Sequence, residues 1–300
     1  MFKKTLKYLK ILSILGLFGF AILLVTLLYF NSTLPSYKKL AQYNPPTITR
    51  FYAQDGKLIE EYAKERRLFT NIDKIPDHVK NAFLAAEDRN FYNHKGIDLR
   101  SLTRAMLQNV SNIGQGRALI GGSTITQQVV KNTLLTNERT ITRKIKEALL
   151  AVKISNFLSK DRVLELYLNE IYLGNRSYGI TAAALNYFNK SINELSIAEA
   201  AFLAALPKAP ASLNPRRNYA KAFERRNWVI ERMLEVGFID IQTASIAKAA
   251  PILLQEANDR TVPNAGSFAE SVRQEVTEIY DEITLYNDGL AVMTTLSPKL

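Results

Sequence analysis

The sequence predicts a mainly α protein with an N-terminal transmembrane helix and a small β element. Three observations carry that prediction. Residues 11–30 contain no charged side chain. From Asp77 to about residue 250, apolar residues recur at helical spacing. Strand-like runs are confined to the neighbourhood of Asp55-Gly56 and to the C-terminal "NDGLAVMTTLSPKL". A chain of 300 residues can bury one large core or two smaller ones.

The elements follow in order. In "ILSILGLFGFAILLVTLLYF", about twenty residues at ~1.5 Å rise are enough to cross a hydrocarbon core of roughly 30 Å. Lys3, Lys4, Lys7 and Lys10 precede it, so residues 1–10 read as a cytoplasmic tail and the rest of the chain as lying outside. A cleaved signal peptide is the alternative; the length of the run and the lack of an A-x-A site favour an anchor. Residues 31–48 read as a juxtamembrane linker, with Pro35, Pro45 and Pro46 opposing regular structure. Asp55-Gly56 reads as a hairpin turn. Helices follow in "ITRKIKEALLAVKISNFL", "DRVLELYLNEIYL", "SIAEAAFLAAL" and "AFERRNWVIERMLEVGFI". Asp161 and Ser196 are expected N-caps, the latter in a capping box with Glu199, and Gly174 and Gly237 are expected stops. The terminal strand either pairs with the hairpin or marks the start of a further domain. The division is therefore 1–10, 11–30, 31–48, a main domain over 49–245, and 246–300 leading onward.

Composition excludes much chemistry. There is no cysteine, so disulfides, thiolate metal sites and a Cys nucleophile are absent. Only His78 and His94 could supply imidazole. The formal charge of +11 favours an anionic partner: nucleic acid, anionic lipid or a phosphorylated substrate. A domain outside the cytoplasm argues against nucleic acid.

Four stretches carry chemistry. The first is "AAEDRNFYNHKGID", residues 85–98. Val79, Phe83 and Glu87 are spaced by four, so Glu87 continues an apolar stripe. Burial should raise its pKa toward a value useful for a base. Asp88 faces elsewhere and could bond the following loop, with help from Arg89 or His94. Acids at a helix C-terminus are mildly unfavourable, which hints at a purpose beyond decorating a helix end.

The second is "GGSTITQQVVKN", residues 121–132. Its glycines permit close backbone approach, and Ser123, Thr124, Thr126, Gln127 and Gln128 supply hydrogen-bonding groups. Lys131 and Arg139 follow at eight-residue intervals. "GRALIGGS" nearly matches a phosphate-binding P-loop, but Gly122 stands where lysine is required, which excludes a nucleotide P-loop. The third is "TRKIKEALLA". Arg143 and Glu147 are an i,i+4 pair, ordinarily a surface ion pair contributing about 0.3–0.5 kcal/mol. Ile141, Ile145, Ala148 and Val152 would form the buried stripe, with Glu147 off its centre and looking into a groove. In the fourth, "DRVLELYLNEIYLG", Leu164, Leu168 and Ile171 point inward, while Glu165 and Asn169 share another face as structural braces.

Together and in this order the four stretches resemble the motifs of the glycosyltransferase domain of class A penicillin-binding proteins. "EDRNFYNHKGID" looks like the family's first motif, E-D-x-x-F-x-x-H-x-G. "YGITAAALNYFNK", "LSIAEAAFLAALPKAPASLNP" and the Arg225-Arg226 stretch continue the likeness, which covers roughly residues 50–245. The resemblance implies a lysozyme-like, two-lobed fold and polymerisation of lipid II into β-1,4 glycan strands. It implies Glu87 as general base with Asp88 beside it, and Glu147 as a second essential carboxylate on the donor side. Lys131 and Arg139 would grip the diphosphate, Ser123, Gln127 and Gln128 would line that site, and Arg143 and Lys144 would contribute. Mg²⁺ or another divalent cation could assist near the diphosphate; no organic cofactor is implied. Partners would be lipid II, the growing glycan, membrane lipids and other cell-wall synthesis proteins. Location would be the bacterial inner membrane, single-pass, with the N-terminus inside.

The chemistry asks for such residues independently. A glycosyl diphosphate donor needs a base for the acceptor hydroxyl and cations for the leaving group. A glycoside hydrolase of similar fold must protonate a poor leaving group and needs no phosphate-binding cations, so the basic residues at 131–144 favour transfer. A non-catalytic membrane scaffold would be indifferent to Glu87→Gln. Leu99, Leu102, Met106 and Leu107 would either dip toward lipid or pack internally. No K-T-G occurs, and Ser36-Tyr37-Lys38-Lys39 matches S-x-x-K by chance, so no peptide cross-linking is expected of this chain.

Overall fold

The computed structural model describes residues 2–43, 49–62, 66–112, 121–136, 138, 140–255, 262–287 and 289–298. Its first element, α1 (Phe2–Ser32), includes an apolar span, Ser13–Ser32, in which none of the described residues is buried. Among the described residues it is the one helix long and apolar enough to cross a membrane.

The chain does not swing free after α1. Leu40 is buried in the main core, Tyr37 meets Phe157 edge-on at 5.5 Å, and Arg162 Nη2 donates to the Tyr43 carbonyl at 2.8 Å. The expected linker is thus docked up to Tyr43. Pro45 and Pro46 lie outside the described residues.

Next come β1 (Thr49–Tyr52) and β2 (Leu58–Tyr62), antiparallel with Arg50 opposite Glu61. Gly56 takes a positive φ of 81° in the turn, as the Asp-Gly pair predicts. The two-residue β3 (Arg66–Arg67) precedes α2 (Asp77–Glu87), α3 (Leu99–Ser111), α4 (Ile125–Thr133), α5 (Ile141–Phe157) and α6 (Lys160–Glu170). Then follow β4 (Ser177–Tyr178), α7 (Ile180–Phe188), α8 (Ile197–Ala205), α9 (Pro215–Val236), α10 (Ile241–Ala249), α11 (Gly266–Asn287) and β5 (Ala291–Met293).

The main core is helical. α8 is apolar on nearly every side and sits at its centre against α2 and α9. Its small alanines let those helices approach closely. α4 and α6 pack together beside it. A second, smaller core joins Phe51, Ala53 and Ile59 of the hairpin region to Ala269, Val276 and Leu285 of α11. β5 pairs parallel with β1, so the terminal strand finds its partner at the hairpin. The hairpin therefore shares its core with the C-terminal segment rather than with the helices that separate them in sequence.

Ser196 and Glu199 form the expected capping box, and Gly237 closes α9 with a φ of 81°. Two expected caps differ. α6 starts earlier, with Ser159 accepting from the Arg162 N–H, and Asp161 in the first turn accepts from the Tyr92 hydroxyl at 2.9 Å. α6 ends at Glu170, and Gly174 instead turns the chain into β4. The braces hold: Glu165 accepts from the Ile72 N–H, and Asn169 bonds both backbone groups of Thr70.

Candidate active site

Glu87 is the last residue of α2, on the face that buries Val79 and Phe83, and is itself half-buried. It lines an open cleft of about 410 Å³ with Asp88, Ser101, Arg104, Ser123, Thr124 and Trp228. Its Oε2 accepts from Gln128 Nε2 at 2.6 Å. Burial raises the Glu87 pKa; the Gln128 bond and the charges of Arg225 and Lys131 oppose that rise, and Asp88 adds to it.

Asp88 has a different task. It is buried, accepts from His94 Nε2 at 3.0 Å, and takes the Ile125 N–H at 3.0 Å. An acid at the end of α2 is therefore also an acid at the start of α4, where the helix dipole favours it. The local cost seen in the sequence is offset across the fold. Gly96 completes the joint, with a φ of 89° and its Cα so close to α5 that a Cβ would strike the Ala151 carbonyl. Thr124 donates to the Gly96 carbonyl at 2.6 Å. The loop after Glu87 is thus locked to the start of α4 and the middle of α5.

On α4, Thr124 and Gln127 form a reciprocal capping box, so the buried Gln127 amide caps the helix rather than facing the cleft. Gln128, one residue on, turns to Glu87. Lys131 is half-buried with no hydrogen bond to a described residue. Burial lowers its pKa, with Glu147 and Glu87 raising it and Arg143 and Lys144 lowering it. Its ammonium thus lies in the field of both carboxylates.

α5 corrects the expected stripe. Ile141 is 82% exposed and Val152 is 38% exposed, while Glu147, Leu150, Ala151 and Ile154 are the buried residues. Glu147 stands on the buried face, not beside it, and its pair with Arg143 is no surface contact. It can be buried because two cations meet it: Arg143 Nε at 3.1 Å and Lys144 Nζ at 2.8 Å. Lys144 also donates to Ser123 Oγ at 2.6 Å, tying α5 to the start of α4. Arg139 lies outside the described residues. The structure therefore groups Glu87 with Gln128 and, separately, Ser123 and Arg143 with Lys144 and Glu147, and Lys131 feels the charge of both carboxylates.

Arg225 and Lys208 are additions that spacing alone did not single out. Both feel the Glu87 charge, and Arg225 lies 3.7 Å over the Trp228 ring centroid. The adjacent Arg226 is only 1% exposed and donates to the Ala250 and Lys248 carbonyls at the end of α10. The "RR" dipeptide was visible in the sequence, but which arginine faces the site depends on the rotation of α9.

A family model described as Transglycosylase matches residues 55–234. The chain belongs to this family. It is 50% identical over its whole length to penicillin-binding protein 1A of Rickettsia bellii, of which it spans 38%. Over 91% of its length it is 45% identical to penicillin-binding protein 1A of Pseudomonas aeruginosa, spanning 33% of that protein. The crystal structure of penicillin-binding protein 1A from Haemophilus influenzae superposes on 86% of this chain and 28% of its own, with a TM-score of 0.51 and 30% identity. The chain thus spans roughly two fifths or less of these relatives. As a transglycosylase family member it has the mainly helical fold expected from the four motifs.

Proposed function

We propose that the chain carries a peptidoglycan glycosyltransferase that polymerises lipid II into β-1,4 glycan with release of polyprenyl diphosphate. The observation that carries this is a cleft carboxylate, Glu87, held by Gln128 and with a raised pKa, together with a cation-held Glu147 and a lysine, Lys131, that feels both charges. The Glu87 carboxylate takes the proton of the acceptor sugar's 4-hydroxyl as that oxygen bonds to the donor's anomeric carbon. The bond from that carbon to the diphosphate oxygen breaks on the opposite face, inverting α to β. Lys131, with Arg143, Lys144 and Arg139, stabilises the charge that develops on the diphosphate. Ser123 orients Lys144, Gln128 orients Glu87, and Asp88 and Gln127 hold the ends of α2 and α4 in register.

A divalent cation is not required by this scheme. Among the described residues no cluster of three or more His, Asp or Glu could hold one, and the Glu147 carboxylate already serves two cations. These residues do not fit a protein-held metal, so any such ion would travel with the diphosphate.

The substrate is lipid-linked, and α1 keeps the enzyme in the same bilayer, with the N-terminus inside and the site outside. Leu99, Met106 and Leu107 on α3 are 69%, 56% and 73% exposed, while Leu102 is half-buried. Only Ala105 of α3 is fully buried. That apolar face rests on lipid beside the cleft mouth. Further partners are the growing strand and other wall-synthesis proteins.

Polymerisation of lipid II by the wild type, Glu87→Gln and Lys131→Ala tests the reading. Polymer is expected from the wild type alone; release of free disaccharide without polymer would show a hydrolase instead. Liposome binding by a form lacking residues 1–32 should weaken on Leu107→Ser, and unchanged binding would refute lipid contact by α3.

A further inference from the structure

Several buried polar atoms near the Glu87–Asp88 pair have no hydrogen-bond partner among the described residues: Tyr167 Oη, Lys160 Nζ, Thr126 Oγ1 and His94 Nδ1. Each is tied to the pair by its surroundings. His94 bonds Asp88 through its other ring nitrogen. Thr126 follows Ile125, whose N–H bonds Asp88. Lys160 lies 4.4 Å over the Phe91 ring centroid and feels the Asp88 charge. Tyr167, two turns beyond Lys160 on α6, is 1% exposed and meets Phe83, one turn before Glu87, edge-on at 6.2 Å. Buried polar groups without a protein partner ordinarily hold an internal water.

We propose that Tyr167 is a positioning residue for the base, its hydroxyl donating through one enclosed water to the Glu87 carboxylate. The inference rests on Glu87 being the general base. Burial, with the charges of Glu87 and Asp88, pushes the Tyr167 pKa well above its ordinary value. The phenol therefore keeps its proton throughout the working range and acts only as a donor. The proton taken from the acceptor hydroxyl resides on Glu87, and none passes to tyrosine. A donor to the charged form favours ionised Glu87 and so opposes the rise that burial imposes. The other groups facing Glu87 are Gln128 and Lys131 from α4, Arg225 from α9, Lys208 from the turn before α9, and Asp88. His94 and Lys160 act on Asp88. All of these remain when Tyr167 is changed, which isolates its contribution.

The test is the pH profile of kcat/KM for lipid II polymerisation by the full chain in detergent, with Tm measured alongside. Loss of one donor to a charged group in Tyr167→Phe should move the acid limb up by about one pH unit, a roughly tenfold fall on the acid side with little change on the plateau. Site-specific 3-fluorotyrosine at 167, a more acidic donor of nearly the same shape, should move the limb down. If Tyr167→Phe does not fold, the fluorinated protein decides alone. Limbs that stay in place in the variants that fold, with Glu87→Gln inactive, overturn the proposal. So does a uniform loss at every pH with a lowered Tm, which marks a structural role. A fully active Glu87→Gln would instead overturn the assignment of the base.

Discussion

Glu87 and Glu147 both act on the charge of Lys131, and their surroundings are opposites. Glu87 is half-buried and meets a neutral amide, Gln128, while its cations stand further off. Glu147 is only 2% exposed and is clasped by Arg143 and Lys144. The difference separates two uses of a carboxylate. One that is poorly neutralised and partly withdrawn from water can accept a proton in each turnover. One that is committed as counter-ion to two cations instead fixes where those cations point.

The contrast can be broken by substitution. Glu87→Gln should lower kcat by about 10²–10⁴-fold. It should leave Tm unchanged or slightly higher. The sign follows from the raised pKa: ionised Glu87 is less favourable in the folded than in the unfolded chain, so its contribution to stability falls as pH rises from the ordinary carboxylate range through the raised value. Glu147→Gln should behave otherwise, losing activity together with stability. Two cations would be left beside a neutral amide, at a cost of ~2 kcal/mol or more, read from chemical denaturation. If both variants lose only activity, the two carboxylates do not differ in the way their contacts indicate.

Acidity sharpens the same comparison. The acid limb of kcat/KM should lie above the ~4.3 of free glutamate, because Glu87 must be ionised to work. A limb at or below that value would remove Glu87 from the role of base. The smallest effect concerns the cap of α3. Burial alone would raise the Asp98 pKa, but the Ser101 and Asn90 side chains and the Ser101 and Arg100 N–H groups hold it at about 2. Its stabilisation is present above the unfolded carboxylate range and is lost as pH falls toward 2. Asp98→Ala should cost about 1 kcal/mol at neutral pH, seen in Tm, and far less near pH 2.

How much was legible in the sequence depended on range. The α2 face, the Ser196–Glu199 box, the Asp55-Gly56 turn and the braces on α6 follow from residues a few positions apart. The sequence assigned the wrong inner face to α5 because an acid in the middle of a buried stripe is unfavourable until its cations are in place. It likewise marked Gln127 and Gln128 as equivalent, whereas one amide caps its own helix and the other crosses to Glu87.

The sequence by itself determined the apolar anchor, the helical period, the hairpin turn and the order of the four motifs, because each depends on local spacing and backbone preference. Tertiary structure decided that Asp88 serves a helix start 37 residues away, that Arg225 rather than Arg226 faces Glu87, and that Tyr167 packs against Phe83 one turn before Glu87. Those outcomes depend on how whole helices rotate and dock, and burial and charge pairing fix that only once distant segments have met.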